Sequence, residues 1–485
     1  MNDWQKICKM SYKEIREMQN KKLRAFIANQ IYRYSPYYKE LLKEHKIDPF
    51  KIKGVEDLRN IPFTYKWNIA PTDEEPKKAK DFVIRPDEEV SEKYGHLAKM
   101  SLTGGKAMVE ERIYDFKPVH VHFTTGRSAM PTPFFYSKRD LEHLREAGYR
   151  LLDVFNVTPE DTVVNCFPFA PHLAFWQTYF AGEQMKVGGF HSGGGKSAGT
   201  NNLMDIFEYL RPTVAVFIPG YCYYFLREAV KQGRDFSSVK KVFFGGERVP
   251  PGLKTKVKDL FSQLGAEEVM VLATYGMTEA KVAWAECPSH DKYHGYHLYP
   301  DMEIFETVDP ETGEPVGEGE DGEIVYTSLD WRGTAVLRYR TGDIAVGGLL
   351  YEPCPNCGRS MPRISSNIQR RSEVKEFNLT KVKGTLVNLN NFFPLMMNHP
   401  HIIEWQVEMR KRNNDPFDLD ELYLHLAIED TVDKEKLISD IRQQVVRDTE
   451  VSLTDVLIKS VPDMIAQLGM ETEMKEKRIV DNRPE

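Results

Sequence analysis

The sequence has little of what marks a secreted, membrane-spanning or nucleic-acid-binding chain. Cysteine is scarce, with six in 485 residues, so a disulfide framework of the kind that staples small secreted domains is excluded, and reduced thiols in the cytoplasm are expected. Charge of one sign is missing too. Lys plus Arg is 65 against Asp plus Glu 72, a net charge of -7, which supplies no field to hold a polyanion and makes nucleic acid an unsuitable main partner. Residues 1–24 scatter Asp3, Lys6, Lys9, Lys13 and Glu14 among their apolar positions, so they lack the apolar core of a signal peptide and read as a retained helix. The uncharged run 163–182 is as long as a membrane span, yet Asn165, Pro168, Pro171, His172 and Gln177 interrupt it. A buried strand, a loop and a helix fit it better than a bilayer does. Repeats and low-complexity segments are absent.

What is present is the composition of a soluble globular protein, 41% hydrophobic and 28% charged; at roughly 150 residues per domain the length suggests about three folding units. Ser11 with Glu14 spells a capping box, and Ser35 before Pro36 an N-cap with proline in the first turn, so the chain opens on two helices. Apolar or β-branched runs at 162–167, 214–218, 241–244 and 268–273 alternate with helical patterns at 203–210 and 253–264. Such alternation predicts parallel strands with crossover helices. Turn chemistry from Asp309 to Gly313 and Gly319 to Gly322 flanks a strand at 323–327 and predicts antiparallel sheet. Beyond Arg370, Leu422, Leu424, Leu426 and Ile428 alternate along one face, and Leu437, Ile438, Ile441 and Val445 follow at helical spacing, which predicts a small α+β domain. The expected fold is α/β, a large amino-terminal region of several subdomains (1–370) followed by a smaller α+β domain (371–485).

Several segments carry chemistry. Thr124-Thr125-Gly126-Arg127-Ser128 offers hydroxyls, free amides around a glycine and a forked cation to phosphate oxygens, although a solvated loop has the same composition. Gly193-Gly194-Gly195-Lys196-Ser197 looks like the end of a P-loop, but Phe190 stands where the first glycine belongs, and a glycine-rich connection is the better reading. Gly245-Gly246-Glu247 and Tyr275-Gly276-Met277-Thr278-Glu279 each follow an apolar strand, at the carboxyl ends where open α/β sheets bind ligands. In Arg338-Tyr339-Arg340-Thr341-Gly342-Asp343 the carboxylate can accept from a ribose diol, while the arginines suit salt bridges equally. Cys354-Pro355-Asn356-Cys357-Gly358 has the spacing of a zinc knuckle; Cys287 and one of His290, His294 and His297 would complete a tetrahedron, with free thiols or a redox pair as the alternative.

In this order and spacing the segments resemble the adenylate-forming acyl-CoA ligases, and among them the phenylacetate-coenzyme A ligase branch. Pro36-Tyr37-Tyr38, Ile61-Pro62-Phe63-Thr64 and the terminal Lys475-Glu476-Lys477-Arg478-Ile479-Val480-Asp481 are similar to the branch as well. The resemblance implies a two-step reaction: a carboxylic acid displaces pyrophosphate from ATP, and the acyl adenylate then passes its acyl group to coenzyme A, leaving AMP. It implies that Thr124, Thr125, Gly126, Arg127 and Ser128 hold phosphates, that Gly245, Gly246 and Tyr275 face the adenine, with Glu247 and Gly276 in the same cofactor site, and that Thr278 meets the α-phosphate. Glu279 would hold Mg2+ and Asp343 the ribose; Arg371 would lie at an interdomain hinge, and Lys475 would be the catalytic lysine, with Lys477 the alternative. His172, Phe175 and Tyr221 fall in segments that would line the acid pocket, beside Phe167, Phe169 and Trp176, and an aromatic wall suits an aromatic acid. Gly295-Tyr296-His297 is similar to a Gly-x-His element of the branch, which favours His297 as ligand to a structural zinc. The chain departs from the family pattern at Arg127, Ser128, Ala129 and Met130, and at Arg370 and Met474, where glycine is usual. A non-CoA acceptor, or a nucleotide-binding protein without turnover, is the alternative reading; no membrane partner is expected, and a homodimer is left open.

Overall fold

The computed structural model describes residues 3–85, 115–124, 131–247, 249, 251–289, 294–370, 380–382, 385–387, 392–414, 420–449, 451–470 and 476–483. The chain is a mixed α/β protein. It divides into two compact units, Met1–Asp161 with Ala170–Gly189 and Thr274–Ile368, and Thr162–Phe169 with Phe190–Ala273 and Gln369–Glu485. The residues beyond 370 thus share a unit with 190–273.

The first unit opens on the short helix Asp3–Ile7, followed by the helix Tyr12–Phe26, where Ser11 and Glu14 make both halves of the capping box. A single π turn, Ile27–Ile31, continues it, and Pro36–Glu44 follows with Ser35 as N-cap. Pro118–Phe123 and Pro133–Ser137 form an antiparallel hairpin whose second strand runs into Lys138–Val154, capped by Ser137 and Asp140. This helix packs on Leu173–Met185. Their close approach requires Gly148, since a Cβ there would lie 2.8 Å from Ala181 Cα. Glu303–Val308, Gly322–Ser328 and Tyr339–Ala345 build an antiparallel sheet, and the central strand is buried along its whole length. Its Ile324-Val325-Tyr326 run therefore reads as continuous rather than alternating.

In the second unit, Thr162–Asn165, Val214–Phe217, Lys241–Phe244 and the first part of Met270–Met277 pair in parallel in that order. Thr200–Leu210, Pro219–Lys231 and Pro251–Gln263 are the connecting helices. Phe207, Phe217, Phe225 and Phe236 gather in the core between strands and helices. The uncharged run at 163–182 resolves into strand, turn and helix, and among the described residues no helix is long and apolar enough to cross a membrane. Gly193 and Gly194, at φ 72 and 83, make the glycine turn into the short helix Gly195–Ala198. The last residues form a four-stranded sheet in the order Asp455–Ile458, Asp420–Ile428, Ile402–Lys411, Ile479–Asp481. Leu422, Leu424 and Leu426 lie in its core with Leu437, Ile441 and Val445 from Lys434–Thr449, the arrangement that the alternating and helical spacings predict.

Candidate functional site

The strand Met270–Met277 runs past the expected end at 273, because its part in the first unit, Thr274–Met277, pairs antiparallel with Val282–Ala285. Tyr275 and Gly276 therefore lie in a strand, and only Thr278 to Lys281 turn. Gly276 has no room for a side chain, as a Cβ would sit 2.6 Å from that of Ala283. Lys281 closes the turn at φ 64, a conformation unusual for lysine, and its buried ammonium is fixed by Asp140 at 3.0 Å. Burial holds Lys281 below the usual lysine range, with the Asp140 charge opposing the shift.

Tyr275 Oη donates to Asp343 Oδ2 at 2.8 Å. Two groups 68 positions apart in the chain thus meet at one place, an aromatic face beside a carboxylate. Trp284 backs the Tyr275 ring with centroids 5.4 Å apart, and its indole donates to the buried Glu303 at 2.6 Å. Burial pushes the Glu303 carboxyl up to about 8. Tyr339 Oη donates to Glu279 Oε1 at 3.1 Å, which leaves the other carboxylate oxygen of Glu279, next to Thr278, unused by that contact. The amino-terminal segments explain how the Arg338–Asp343 stretch is held. Tyr38 Oη and Thr64 Oγ1 lie 2.9 Å apart, the Leu337 N–H donates to Tyr38 Oη at 2.7 Å, and the Thr64 N–H donates to the Arg338 carbonyl at 3.0 Å. Of the two arginines, Arg338 pairs with Glu306 at 3.1 Å over the Phe63 ring, and Arg340 pairs with Glu323. Both serve as salt-bridge partners.

Thr124 closes the base of its loop, its N–H donating to the Thr132 carbonyl at 3.0 Å and its hydroxyl accepting from the Thr132 N–H at 3.2 Å. Thr125, Gly126, Arg127, Ser128, Arg371 and Lys475 lie outside the described residues. His172 stands at the N-cap position of Leu173–Met185 with no side-chain capping bond, and Phe175 is buried on that helix, its ring edge-on to Trp176 at 5.6 Å. In the second unit Gly245 donates to the Phe217 carbonyl, Gly246 takes φ 85, and Glu247 follows at the same strand end. Tyr221 is buried against Phe217 and Phe225, its hydroxyl 3.4 Å from Thr200 Oγ1.

Cys287, His297, Cys354 and Cys357 form one cluster, with ligand atoms all within 4.8 Å of one another. Cys354 Sγ lies 3.4 Å from Cys287 Sγ, and Cys357 Sγ lies 3.4 Å from His297 Nε2. His290 lies outside the described residues, and His294 gives only its carbonyl, to Arg363. The turn at Gly358, φ 70, presents both thiols of the knuckle, and the Asn356 amide donates to Cys287 Sγ at 3.2 Å. Hydrogen bonds from Cys287 hold the Cys354 and Cys357 thiols below the usual range. All six cysteines are free.

Sequence reasoning passed over His120 and His122. They stand two apart on a strand, so they share a face, and that spacing was the available signal. Their Nε2 atoms are 2.8 Å apart, and His122 Nδ1 is 2.8 Å from Tyr136 Oη. Burial holds His122 down to about 3, a neutral imidazole, just before Thr124.

Known proteins match this architecture. The AMP-binding enzyme family matches residues 67–330. A phenylacetate-coenzyme A ligase of Thermus thermophilus is 25% identical over 457 residues, 94% of this chain and 89% of its own. One from Escherichia coli is 22% identical, covering 77% of this chain and 84% of its own. The crystal structure of a 2-hydroxyisobutyryl-CoA ligase in its postadenylation state aligns at TM-score 0.76, with 20% identity, over 99% of this chain and 92% of that one. The same ligase in the thioesterification state, with 2-HIB-AMP and CoA, aligns at 0.60. With 264 residues (67 to 330 inclusive) of 485 inside the family match, and relatives of one kind along nearly the whole length, the chain belongs to the AMP-binding enzyme family, in its phenylacetate-coenzyme A ligase branch.

Proposed function

We propose that the protein is an AMP-forming acid-thiol ligase that activates an aromatic carboxylic acid, arylacetate- or benzoate-like, as its acyl adenylate and transfers the acyl group to coenzyme A. The meeting of Tyr275 and Asp343 at 2.8 Å carries the reading, because an aromatic face beside a carboxylate suits the base and the ribose diol of one nucleotide. In the first step the acid's carboxylate oxygen bonds to the α-phosphorus as the bond to the β-phosphate bridge breaks, and pyrophosphate leaves. Negative charge builds on the α-phosphate oxygens, which the Lys475 ammonium and the Thr278 hydroxyl stabilise. In the second step the CoA sulfur, having given up its proton, takes the acyl carbon and AMP leaves. Gly245, Gly246 and Glu247 border the adenine in this reading, the Thr124–Ser128 loop grips phosphate, and His172, Phe175 and Tyr221 line the acid pocket. Residues 371–485 act as the mobile part, with Arg371 at its hinge.

Two metals fit the residues. Glu279 offers a partly buried carboxylate with one oxygen given to Tyr339, which suits Mg2+, an ion held by one or two carboxylates and substrate phosphates; it would supply charge neutralisation at the triphosphate. Three thiols and an imidazole suit Zn2+. Bonds of about 2.3 Å to sulfur set tetrahedral edges of about 3.8 Å, comparable to the separations in the Cys287, His297, Cys354, Cys357 cluster. With four protein ligands the ion would be structural.

The aromatic acid follows the phenylacetate relatives and the Phe175 and Trp176 rings; the 2-hydroxyisobutyryl-CoA ligase fold supplies the aliphatic alternative. The test is exchange of labelled pyrophosphate into ATP with magnesium and phenylacetate, benzoate or 2-hydroxyisobutyrate in turn, followed by CoA and mass detection of products. Exchange with an aromatic acid and a CoA thioester are expected. No exchange with any acid refutes the ligase reading, and adenylate without thioester redirects it to a different acceptor.

A further inference from the structure

In the second unit one residue's carboxylate occupies the place of another residue's side chain. Gly220 stands in the first turn of Pro219–Lys231, and a Cβ built on it would lie 1.1 Å from Glu476 Oε1 and 2.2 Å from the Glu476 carboxyl carbon. The glutamate fills the notch that glycine leaves, at the helix end where an anion is favoured. Arg478 Nε donates to Glu476 Oε2 at 2.6 Å, while Nη1 reaches Glu404 Oε2 at 2.6 Å and the Trp405 carbonyl at 3.1 Å. The side chains of Glu404, Glu476 and Arg478 are only 3%, 7% and 9% exposed. The Glu476 N–H points at Glu247 Oε1, 3.4 Å away, so the residue also touches the glycine-rich strand end. Behind it the Arg478 carbonyl accepts from the Val407 N–H at 2.8 Å, and Ile479–Asp481 joins the sheet.

We infer that Glu476, seated in the Gly220 notch and held by Arg478, is a latch that positions Lys475, its neighbour in the chain, for adenylate formation. The inference rests on the proposed function, since Lys475 needs positioning only if an adenylate is made. The latch can open without leaving a buried cation alone: when Glu476 swings out to water, Arg478 keeps Glu404 as its counter-charge, so the large penalty of orphaning a buried charge is avoided. Glu476 and Gly220 are positioning residues; neither needs to touch the reacting atoms.

The experiment uses Gly220→Ala in the full chain. A methyl there displaces only the far end of a flexible glutamate, and alanine is the better helix former, so the variant folds. Acid-dependent pyrophosphate exchange is expected to fall about a hundredfold, the scale of a small misplacement of a catalytic group. Thioester formation from supplied phenylacetyl adenylate and CoA is expected to stay at the wild-type rate. Glu476→Gln, which keeps the shape but not the charge, is expected to lose exchange selectively and to a smaller extent. Equal loss in both half-reactions, or loss in neither, overturns the latch. Deuterium uptake by the backbone amides of residues 476–481 reads the same contact without turnover. Faster uptake in Gly220→Ala supports the latch, and unchanged uptake overturns it. A wild-type chain that exchanges pyrophosphate with no acid refutes the ligase reading instead, and the uptake comparison then decides the latch separately.

Discussion

Asp140→Asn removes the anion that lets a lysine be buried beside the candidate site. Asp140 is 0% exposed and Lys281 1%. Asp140 Oδ2 accepts from Lys281 Nζ at 3.0 Å, the Ser137 N–H at 3.0 Å and the Gly333 N–H at 2.6 Å; Oδ1 accepts from the Arg332 N–H at 2.7 Å. The Lys281 ammonium lies 5.0 Å over the Tyr136 ring and 4.8 Å over that of Trp331. Asparagine keeps the volume but replaces one acceptor oxygen with a donor, so one of these four donors faces another donor and the ammonium loses its counter-charge. Breaking a buried pair from one side costs about 3–5 kcal/mol. At a urea slope of about 3 kcal/mol per molar, the midpoint falls by roughly 1–2 M. Tryptophan fluorescence is the assay, since Trp4, Trp67, Trp176, Trp284 and Trp331 all lie in the first unit. The pH dependence has a definite sign. Lys281 is held below its ordinary 10.5, so between the folded and unfolded values the unfolded chain binds more protons and stability rises with pH. Without Asp140 the folded value drops further and that window widens downward, so the deficit is largest below the variant's folded value and shrinks as the pH rises toward the wild-type one. Adding Lys281→Met recovers most of the loss. A deficit under about 1 kcal/mol, or one indifferent to pH, would refute the reasoning, since an uncompensated buried ammonium costs more.

Asp343→Asn weakens an acceptor for the ribose and for Tyr275; at about 1.5–3 kcal/mol for a hydrogen bond to a charged group, KM for ATP rises about ten- to a hundredfold, and unchanged initial-rate kinetics at limiting ATP would count against the site. Lys475→Ala abolishes pyrophosphate exchange while sparing thioester formation from a supplied acyl adenylate; equal loss in both steps would show that the lysine has a different role. Elemental analysis of the wild type finds one zinc per chain, lost in Cys354→Ser. Because Cys287 and Cys354 are 67 positions apart, the lost tie destabilises the first unit by about 4 kcal/mol on a loop-closure basis. A metal-free wild type that unfolds like the variant would overturn the zinc assignment.

Local structure was legible in the sequence wherever neighbours within a few positions decide it. Ser11 with Glu14 and Ser35 with Pro36 cap helices through their own backbone contacts. The apolar runs at 214–217 and 241–244 became buried parallel strands, and the two-residue period at 422–428 put Leu422, Leu424, Leu426 and Ile428 in one core, while His425 and Ala427 are buried on the other face, a second burial that the alternation did not announce. The ordered motifs led to the family because each is a short stretch whose spacing survives in the chain. The sequence named the three cysteines of the Cys287, His297, Cys354, Cys357 cluster, and choosing His297 among three histidines needed the resemblance.

Tertiary structure decided what the motifs face. Tyr275 reaches Asp343, Lys281 reaches Asp140 and Glu476 reaches Gly220 across 68, 141 and 256 positions (476 − 220), and no local pattern announces any of these pairs. The strand at 270 ran on to Met277 because a partner strand at 282–285 was there to pair with it. Lys281 has a left-handed backbone in the turn and its ammonium pairs with the buried Asp140 carboxylate. Propensity and periodicity are summed over adjacent residues, so one chain carries them alone; the cost of a buried charge or an unfilled notch depends on which elements pack together, and only the folded molecule determines that.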